Sequence, residues 1–446
     1  MSQAQIDTLA SLFNDAIQTL QADGTLPSDW QNNSQITRTK DLSHGDFASN
    51  IALTAAKAAK ANPRQLAEKI VSALPDNQDI RQVEIAGPGF INVFLNSEAK
   101  FSVLDDIFTL QDRFGLSNQF DGQKVQVEFV SANPTSSLHV GHGRGAAFGM
   151  SVANLLEAIG YDVTREYYVN DAGRQMDILA TSTYLRYLQL NGEEITFPVN
   201  AYQGDYVSDI AQTLKTQHGD SYVHSFANVA KDVPEDAQFE INADGEKTLV
   251  SGDKEAHIDG LIANSKSLLG DSYALFLNAA LSSILADIKD DLNDFGVSYE
   301  CWFSERSIDS EIEPVLQILD DKGYLYEKDG NIWFKSTDFG DEKDRVVRRA
   351  NGQSTYFASD IAYHKNKFDR GFDKVINVWG ADHHGYVPRV KAALLALGID
   401  AERLDVVLVQ FVALWRGSEK VQMSSRSGQF VTLRELRAEV GNDAAR

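Results

Sequence analysis

The repeat of apolar and polar positions changes period several times along this chain. Ile6, Leu9, Leu12, Phe13, Ile17 and Leu20 recur at three- and four-residue steps, the stripe of an amphipathic helix with a core face. Residues 42–50 lead into an Ala-rich helix, and residues 83–95 read as two short strands around the turn Gly87-Pro88-Gly89. Val125, Val127 and Phe129 then alternate with Gln126 and Glu128, the period of a half-buried strand. Asn133-Pro134 breaks it. A helix is expected from about Gly143, with Phe148, Val152, Leu155 and Ile159 on one face and Gly160 as its stop. A strand at 161–169 follows, with Asn170-Asp171 as the cap of another long helix. Residues 200–295 are low in Pro and Gly and read as mostly helical. Beyond Cys301 come a helix near 310–323 and a hairpin at 324–334 turned at Asp329-Gly330. A buried strand at 373–379, a helix through Leu397, a buried strand at 404–412 and a helix at 433–440 complete the pattern.

Strands alternating with helices, and strands that are near-continuous runs of Val, Ile and Leu, imply an α/β fold with a doubly wound parallel, Rossmann-like sheet. Ligands in such sheets sit at the carboxyl ends of the strands. Four segments follow: a small α+β N-terminal domain (1–115), the first half of the α/β domain (116–199), a helical insertion (200–295) and the second half (296–446). The net charge of -23 argues against a broad nucleic-acid surface, and residues 201–300 alone hold 18 acidic against 6 basic residues. The single cysteine, Cys301, excludes an internal disulfide and a multi-cysteine zinc site, and fits a reducing compartment. No apolar run approaches a membrane span and the N-terminus is not signal-like, so the expected location is the cytoplasm, off the membrane.

Chemistry concentrates where the strand at 125–129 feeds a glycine-rich helix start. Free backbone N–H groups and the helix dipole face an anion there. His139 and His142 add side-chain donors, and Gly141 lets a flat ring lie against the backbone. This stretch resembles the His-x-Gly-His signature of class I aminoacyl-tRNA synthetases. A second polar loop, Gln422-Met423-Ser424-Ser425-Arg426, resembles the Lys-Met-Ser-Lys signature of the same class in degenerate form. The flanks at 133–135, 302–306, 355–364 and 378–385 are similar to arginyl-tRNA synthetases. So is the front module, whose residues 87–92 resemble that family's tRNA-elbow-binding domain. The resemblance covers nearly the whole chain outside 200–295.

The resemblance implies two steps, with ATP activating arginine to arginyl-adenylate and tRNA(Arg) then taking the arginyl group. It places His139, His142, Ser424 and Arg426 in the catalytic role. Gly141, Gly380, Asp382, His384, Gln422 and Met423 join His139, His142 and Ser424 around ATP. Ser131, Asn133 and His139 take the amino and carboxylate groups of arginine, with Glu128 a further candidate for the amino group. Glu305, Tyr356 and Asp360 surround the guanidinium, and His383 lines the arginine and adenosine site. A guanidinium, always charged and with five planar donors, needs such acceptors. Mg²⁺ accompanies ATP, with no zinc or other protein-bound metal, and the family is commonly monomeric. Gln422 and Ser425 stand where the general motif has lysines, and Lys420 is the candidate replacement. The family continues beyond the equivalent of Arg446 into an anticodon-binding domain, so weak activity is expected of a chain lacking it. Two other readings are a non-catalytic, tRNA-binding fragment and a small-molecule nucleotidyltransferase, which would have no use for residues 1–115.

Overall fold

The computed structural model describes residues 3–241, 247–410, 412–420 and 430–446. The chain divides into two compact units, 1–116 and 117–446. In the first, helix α1 (Gln3–Ala22) buries Leu9, Phe13, Ile17 and Leu20. Strands β1 (Ile36–Arg38) and β2 (Phe47–Ser49) precede helices α2 (Ile51–Ala59) and α3 (Pro63–Ala73). Strands β3 (Ile80–Ala86) and β4 (Phe90–Leu95) complete an antiparallel sheet of order β1-β2-β4-β3, and α4 (Ser97–Leu110) follows. At the Gly-Pro-Gly turn, Gly89 has φ +141°, and a Cβ there would lie 2.9 Å from the Pro63 carbonyl oxygen. Only glycine fits that approach.

The second unit is built on β5 (Lys124–Glu128), α5 (Val140–Ala158), β6 (Asp162–Val169) and α6 (Arg174–Leu190). Helix α7 (Asp205–His218), the short α8 (Phe226–Val229), the hairpin β7 (Gln238–Ile241) and β8 (Lys247–Ser251), α9 (Lys254–Leu269) and α10 (Tyr273–Asp294) follow. Then come β9 (Cys301–Ser304), α11 (Asp309–Asp321), β10 (Leu325–Lys328), β11 (Asn331–Phe334), β12 (Arg345–Arg348), α12 (Tyr356–Asp369), β13 (Lys374–Gly380), α13 (Val387–Leu397), β14 (Leu404–Val409) and α14 (Leu433–Val440). Five parallel strands form one sheet of order β14-β13-β5-β6-β9. Asp329 and Gly330 both have positive φ, as a two-residue I′ hairpin requires.

Several expectations change. Helix α5 begins at Val140 and buries Val140, Gly143, Ala146, Gly149 and Ala153, while Phe148 and Leu155 stay exposed. The sheet demands small residues there: a Cβ on Gly149 would sit 2.2–2.5 Å from the Phe129 side chain. Asp171 does not cap α6, whose N-cap is Gly173. Strand β14 ends at Val409 and, as the sheet edge, is only partly buried. Helices α7, α9 and α10 share one apolar core with α6 through Val207, Leu261, Phe276 and Ile284. The helical stretch 254–294 contains an 18-residue window of mean hydropathy 1.4, a third of it buried, and so meets the length and composition of a membrane span. An amphipathic core helix passes the same test, and α10 places Phe276, Ala280, Ile284 and Ile288 in the interior.

Candidate active site

From β5 the chain runs to β6 and β9 on one side, while β13 and β14 lie on the other. Strand order therefore reverses between β5 and β13, where a crevice opens at their carboxyl ends. A cavity of about 390 Å³ occupies it, lined by Glu128, Val130 and Ser131 after β5, Tyr168 on β6, Asp360, Tyr363 and His364 on α12, and Val378–Gly380, His383 and Tyr386 after β13. Val130 and Ser131 have φ of +69° and +42°, a conformation that strains a β-branched residue. Hydrogen bonds hold it: Ser131 Oγ donates to Glu128 Oε1 (3.0 Å) and accepts from the Tyr168 N–H (3.1 Å).

Beneath the cavity lies a buried polar network that local sequence patterns did not reveal. Lys367, fully buried, donates to Glu128 Oε2 (2.5 Å) and Asn377 Oδ1 (2.7 Å). Tyr363 donates to Glu166 Oε1 (2.5 Å) and Glu128 Oε2 (3.0 Å), and Arg370 grips Glu166 with two nitrogens at 2.5 and 3.0 Å. Asn377 donates to His364 Nε2 (2.9 Å), which leaves the ring proton on Nδ1, 2.8 Å from the Asp360 carbonyl. Burial and then Lys367 push His364 down to about 3, so it is neutral. Both acidic groups of the floor thus have cationic partners: Glu128 has Lys367 and Glu166 has Arg370. A trace was available in the sequence, where Tyr363 and Lys367 stand four apart on one face of α12.

Asp360 and Glu305 differ. The Tyr386 hydroxyl donates to the Asp360 carboxylate. Burial, and next the Glu128 charge, push Asp360 up to about 7 against that bond. Glu305, following β9, is buried, and its Oε2 has no hydrogen-bond partner among the described residues. Burial, then the charges of Asp360, Asp171 and Asp309, raise it to about 7 as well. Asp171 accepts from Ser304 Oγ (2.6 Å) and the Arg306 N–H (3.2 Å), tying the β6–α6 turn to the end of β9. Tyr356 is 65% exposed and does not line the cavity, and Gly173 lies beside its hydroxyl. Asn133 is exposed and bonded to Gln175 and Asn170 (2.9 and 2.8 Å). His383 and His384 lie in a 3₁₀ turn that follows β13. His383 lines the cavity 3.5 Å from Asp382, while His384 is exposed with Nδ1 3.2 Å from the Ala381 carbonyl. The basic run 345–349 is partly paired internally, Arg345 to Asp341 and Arg348 to Glu313.

The two signature histidines cap α5. The Gly141 N–H donates to His139 Nδ1 (3.0 Å) and the His139 N–H to His142 Nδ1 (3.3 Å), with the rings stacked 3.7 Å apart. A Cβ on Gly141 would lie 2.9–3.0 Å from the His139 ring, which is why glycine stands there. A nitrogen that accepts carries no proton, so each neutral ring keeps its proton on Nε2. Burial, then His139, lowers His142 to about 3, and burial lowers His139. This corner also holds the segment after the second loop: His139 bridges Thr432, the Leu433 N–H donates to Leu138 O (2.8 Å), and the Val140 N–H to Val431 O (3.3 Å). Gln422, Met423, Ser424, Ser425 and Arg426 lie outside the described residues, as does the Lys420 side chain.

Two protein families match most of the chain. Residues 7–95 match the family described as the arginyl tRNA synthetase N terminal domain. Residues 106–221 and 278–446 match the class I (R) tRNA synthetase catalytic domain. An arginine–tRNA ligase of Psychrobacter arcticus is 90% identical over 446 residues, all of this chain and 73% of that one. The chain belongs to the arginyl-tRNA synthetases. A further arginine–tRNA ligase, from Acinetobacter baumannii, is 65% identical over 98% of this chain and 74% of its own length. The solved Thermus thermophilus arginyl-tRNA synthetase aligns with a TM-score of 0.59 over 96% of this chain and 69% of its own, at 20% identity, a likeness of fold. The class I α/β fold and the enzyme class, arginine–tRNA ligase, accord with the sequence reading. Residues 222–277, unmatched by the catalytic-domain family, contain α8, the β7–β8 hairpin, all of α9 and the start of α10.

Proposed function

We propose that the cavity between β5 and β13 binds arginine, with its guanidinium against Asp360 and Glu305 and its reacting carboxylate toward the α5 N-terminus. The observation that carries this reading is a pair of carboxylates, half-buried Asp360 and buried Glu305, both raised to about 7, with one Glu305 oxygen lacking a hydrogen-bond partner among the described residues. Carboxylates stay buried at that cost where a cation completes them. Ser131 and Glu128 line the inner wall for the α-amino group, although Lys367 already neutralises Glu128. Tyr356 and Asn133, both exposed, would have to close over the substrate. ATP lies across His139, Gly141 and His142, with Gly380, Asp382, His383 and His384 toward the adenosine and residues 422–426 over the pyrophosphate. Mg²⁺ arrives with ATP, held mainly by phosphate oxygens and water.

An arginine carboxylate oxygen attacks the α-phosphorus, the bond to pyrophosphate breaks, and arginyl-adenylate forms. A tRNA ribose hydroxyl then attacks the arginyl carbonyl, and AMP leaves. The protein contributes mainly position and charge stabilisation. The Nε2–H groups of His139 and His142 donate to phosphate oxygens as charge develops. Residues 1–115 grip the tRNA elbow, and the enzyme works in the cytoplasm as a monomer, off the membrane. Arginine-dependent ATP–pyrophosphate exchange, with and without tRNA(Arg), tests the reading. No exchange under either condition refutes it.

A further inference from the structure

One carboxylate outside the cavity connects both sides of the histidine corner. Asp287 stands on α10, whose Ile284, Ile288 and Leu292 are buried, so the helix is a fixed bracket. Its Oδ2 accepts from Ser137 Oγ at 2.7 Å, two residues before His139. Its Oδ1 accepts from Arg434 at 2.5 Å, two residues after Thr432. Ser137 and Arg434 are 150 and 147 residues away in sequence. A second nitrogen of Arg434 donates to Asp291 Oδ1 at 2.9 Å, and Asp291 is only 2% exposed. An ordinary surface ion pair contributes little. This one is branched, backed by a buried acid, and shared between two elements whose backbones are already hydrogen-bonded at Leu138–Leu433 and Val140–Val431.

We propose that Asp287 is a positioning residue for arginine activation: by holding Ser137 and Arg434 on its two oxygens, it sets the register of the histidine loop against the segment after the second signature, and thereby the fit to ATP. The proposal rests on the reading of His139 and His142 as ATP donors.

The test is pyrophosphate exchange with tRNA(Arg) present, on wild type, Ser137→Ala, Arg434→Gln, Asp287→Ala and the doubles containing Asp287→Ala. Each single change should raise the KM for ATP about tenfold, the worth of one charge-assisted hydrogen bond, and leave the KM for arginine within about twofold. Ser137→Ala and Arg434→Gln should add nothing further once Asp287 is gone. Additive effects, or equal rises in both KM values, overturn the proposal. If Asp287→Ala does not fold, Asp287→Asn takes its place in the same cycle. Absence of arginine-dependent exchange in the wild type would fail the functional reading instead. Hydrogen exchange still decides the proposal in that case: the Val140 and Leu433 amides should lose protection in Ser137→Ala and Asp287→Ala, and unchanged protection overturns it.

Discussion

Arginine binding should weaken steeply as pH falls from about 8 to 6, a range in which arginine itself does not titrate. The cause is the pair Asp360 and Glu305, each raised to about 7 without a bound cation. A guanidinium needs the ionised form. A carboxyl of pKa about 7 is ionised in roughly ten of eleven molecules at pH 8 and one of eleven at pH 6, a tenfold loss per group. Two groups acting together give a loss of about tenfold to a hundredfold, because neighbouring carboxyls titrate as a coupled pair. Isothermal titration calorimetry in buffers of different ionisation enthalpy reads both the affinity and the protons released near neutral pH. Citrulline, neutral and of similar shape, should show no such slope. The stability of the free protein runs the opposite way. A carboxyl raised in the folded state favours folding at low pH, and that contribution is lost as pH rises from the ordinary carboxylate range through about 7. Arginine should therefore raise the melting temperature more at pH 8 than at pH 6. An arginine Kd flat across this range, with no proton release, would refute the assignment of both residues.

Further outcomes follow from the geometry at four positions. His142→Ala should slow arginyl-adenylate formation about 100-fold at nearly unchanged arginine affinity, measured by pre-steady-state exchange. Because His142 is lowered to about 3, that step should show no limb near pH 6.5 from this ring, as a pH–rate profile can check. Gly141→Ala places a methyl 2.9–3.0 Å from the His139 ring; the ring must shift, and exchange activity should fall at least tenfold while the melting temperature moves little. Gly149→Val drives a side chain into Phe129 and should cost about 1–3 kcal/mol or more by chemical denaturation. Lys367→Met strands Glu128 without its cation and should destabilise by about 3–5 kcal/mol, with Lys367→Met/Glu128→Gln recovering much of that loss.

The longer strands and helices were legible because they are written in local periodicity: the hairpin turn at Asp329-Gly330, the helix at Leu433–Val440 and the strand–turn–helix around His139 all follow from neighbours within a few residues, whereas the short strands β1, β2 and β12 and the β7–β8 hairpin within the stretch read as helical were not. Depth was not. Phe148 and Leu155 promised a buried face on α5, yet the sheet takes Gly149 and Ala153, because Phe129 already fills the space that a larger residue would need. Tyr356 and Asp360 are four apart on one helix, but one is exposed at its first turn and the other lines the cavity. Spacing fixes which side of a helix a residue faces and says nothing of what comes to meet it. Glu128, Asp360 and Glu305 are equivalent acids in the sequence. What separates them is that Lys367, 239 residues from Glu128, forms its ion pair with Glu128, while Asp360 has a tyrosine hydroxyl and Glu305 an oxygen with no hydrogen-bond partner among the described residues. Among the described residues no lysine or arginine pairs directly with Asp360 or Glu305, because the packing of α12 against the sheet sends Lys367 to Glu128, and the proposed recognition of a permanent cation rests on that difference.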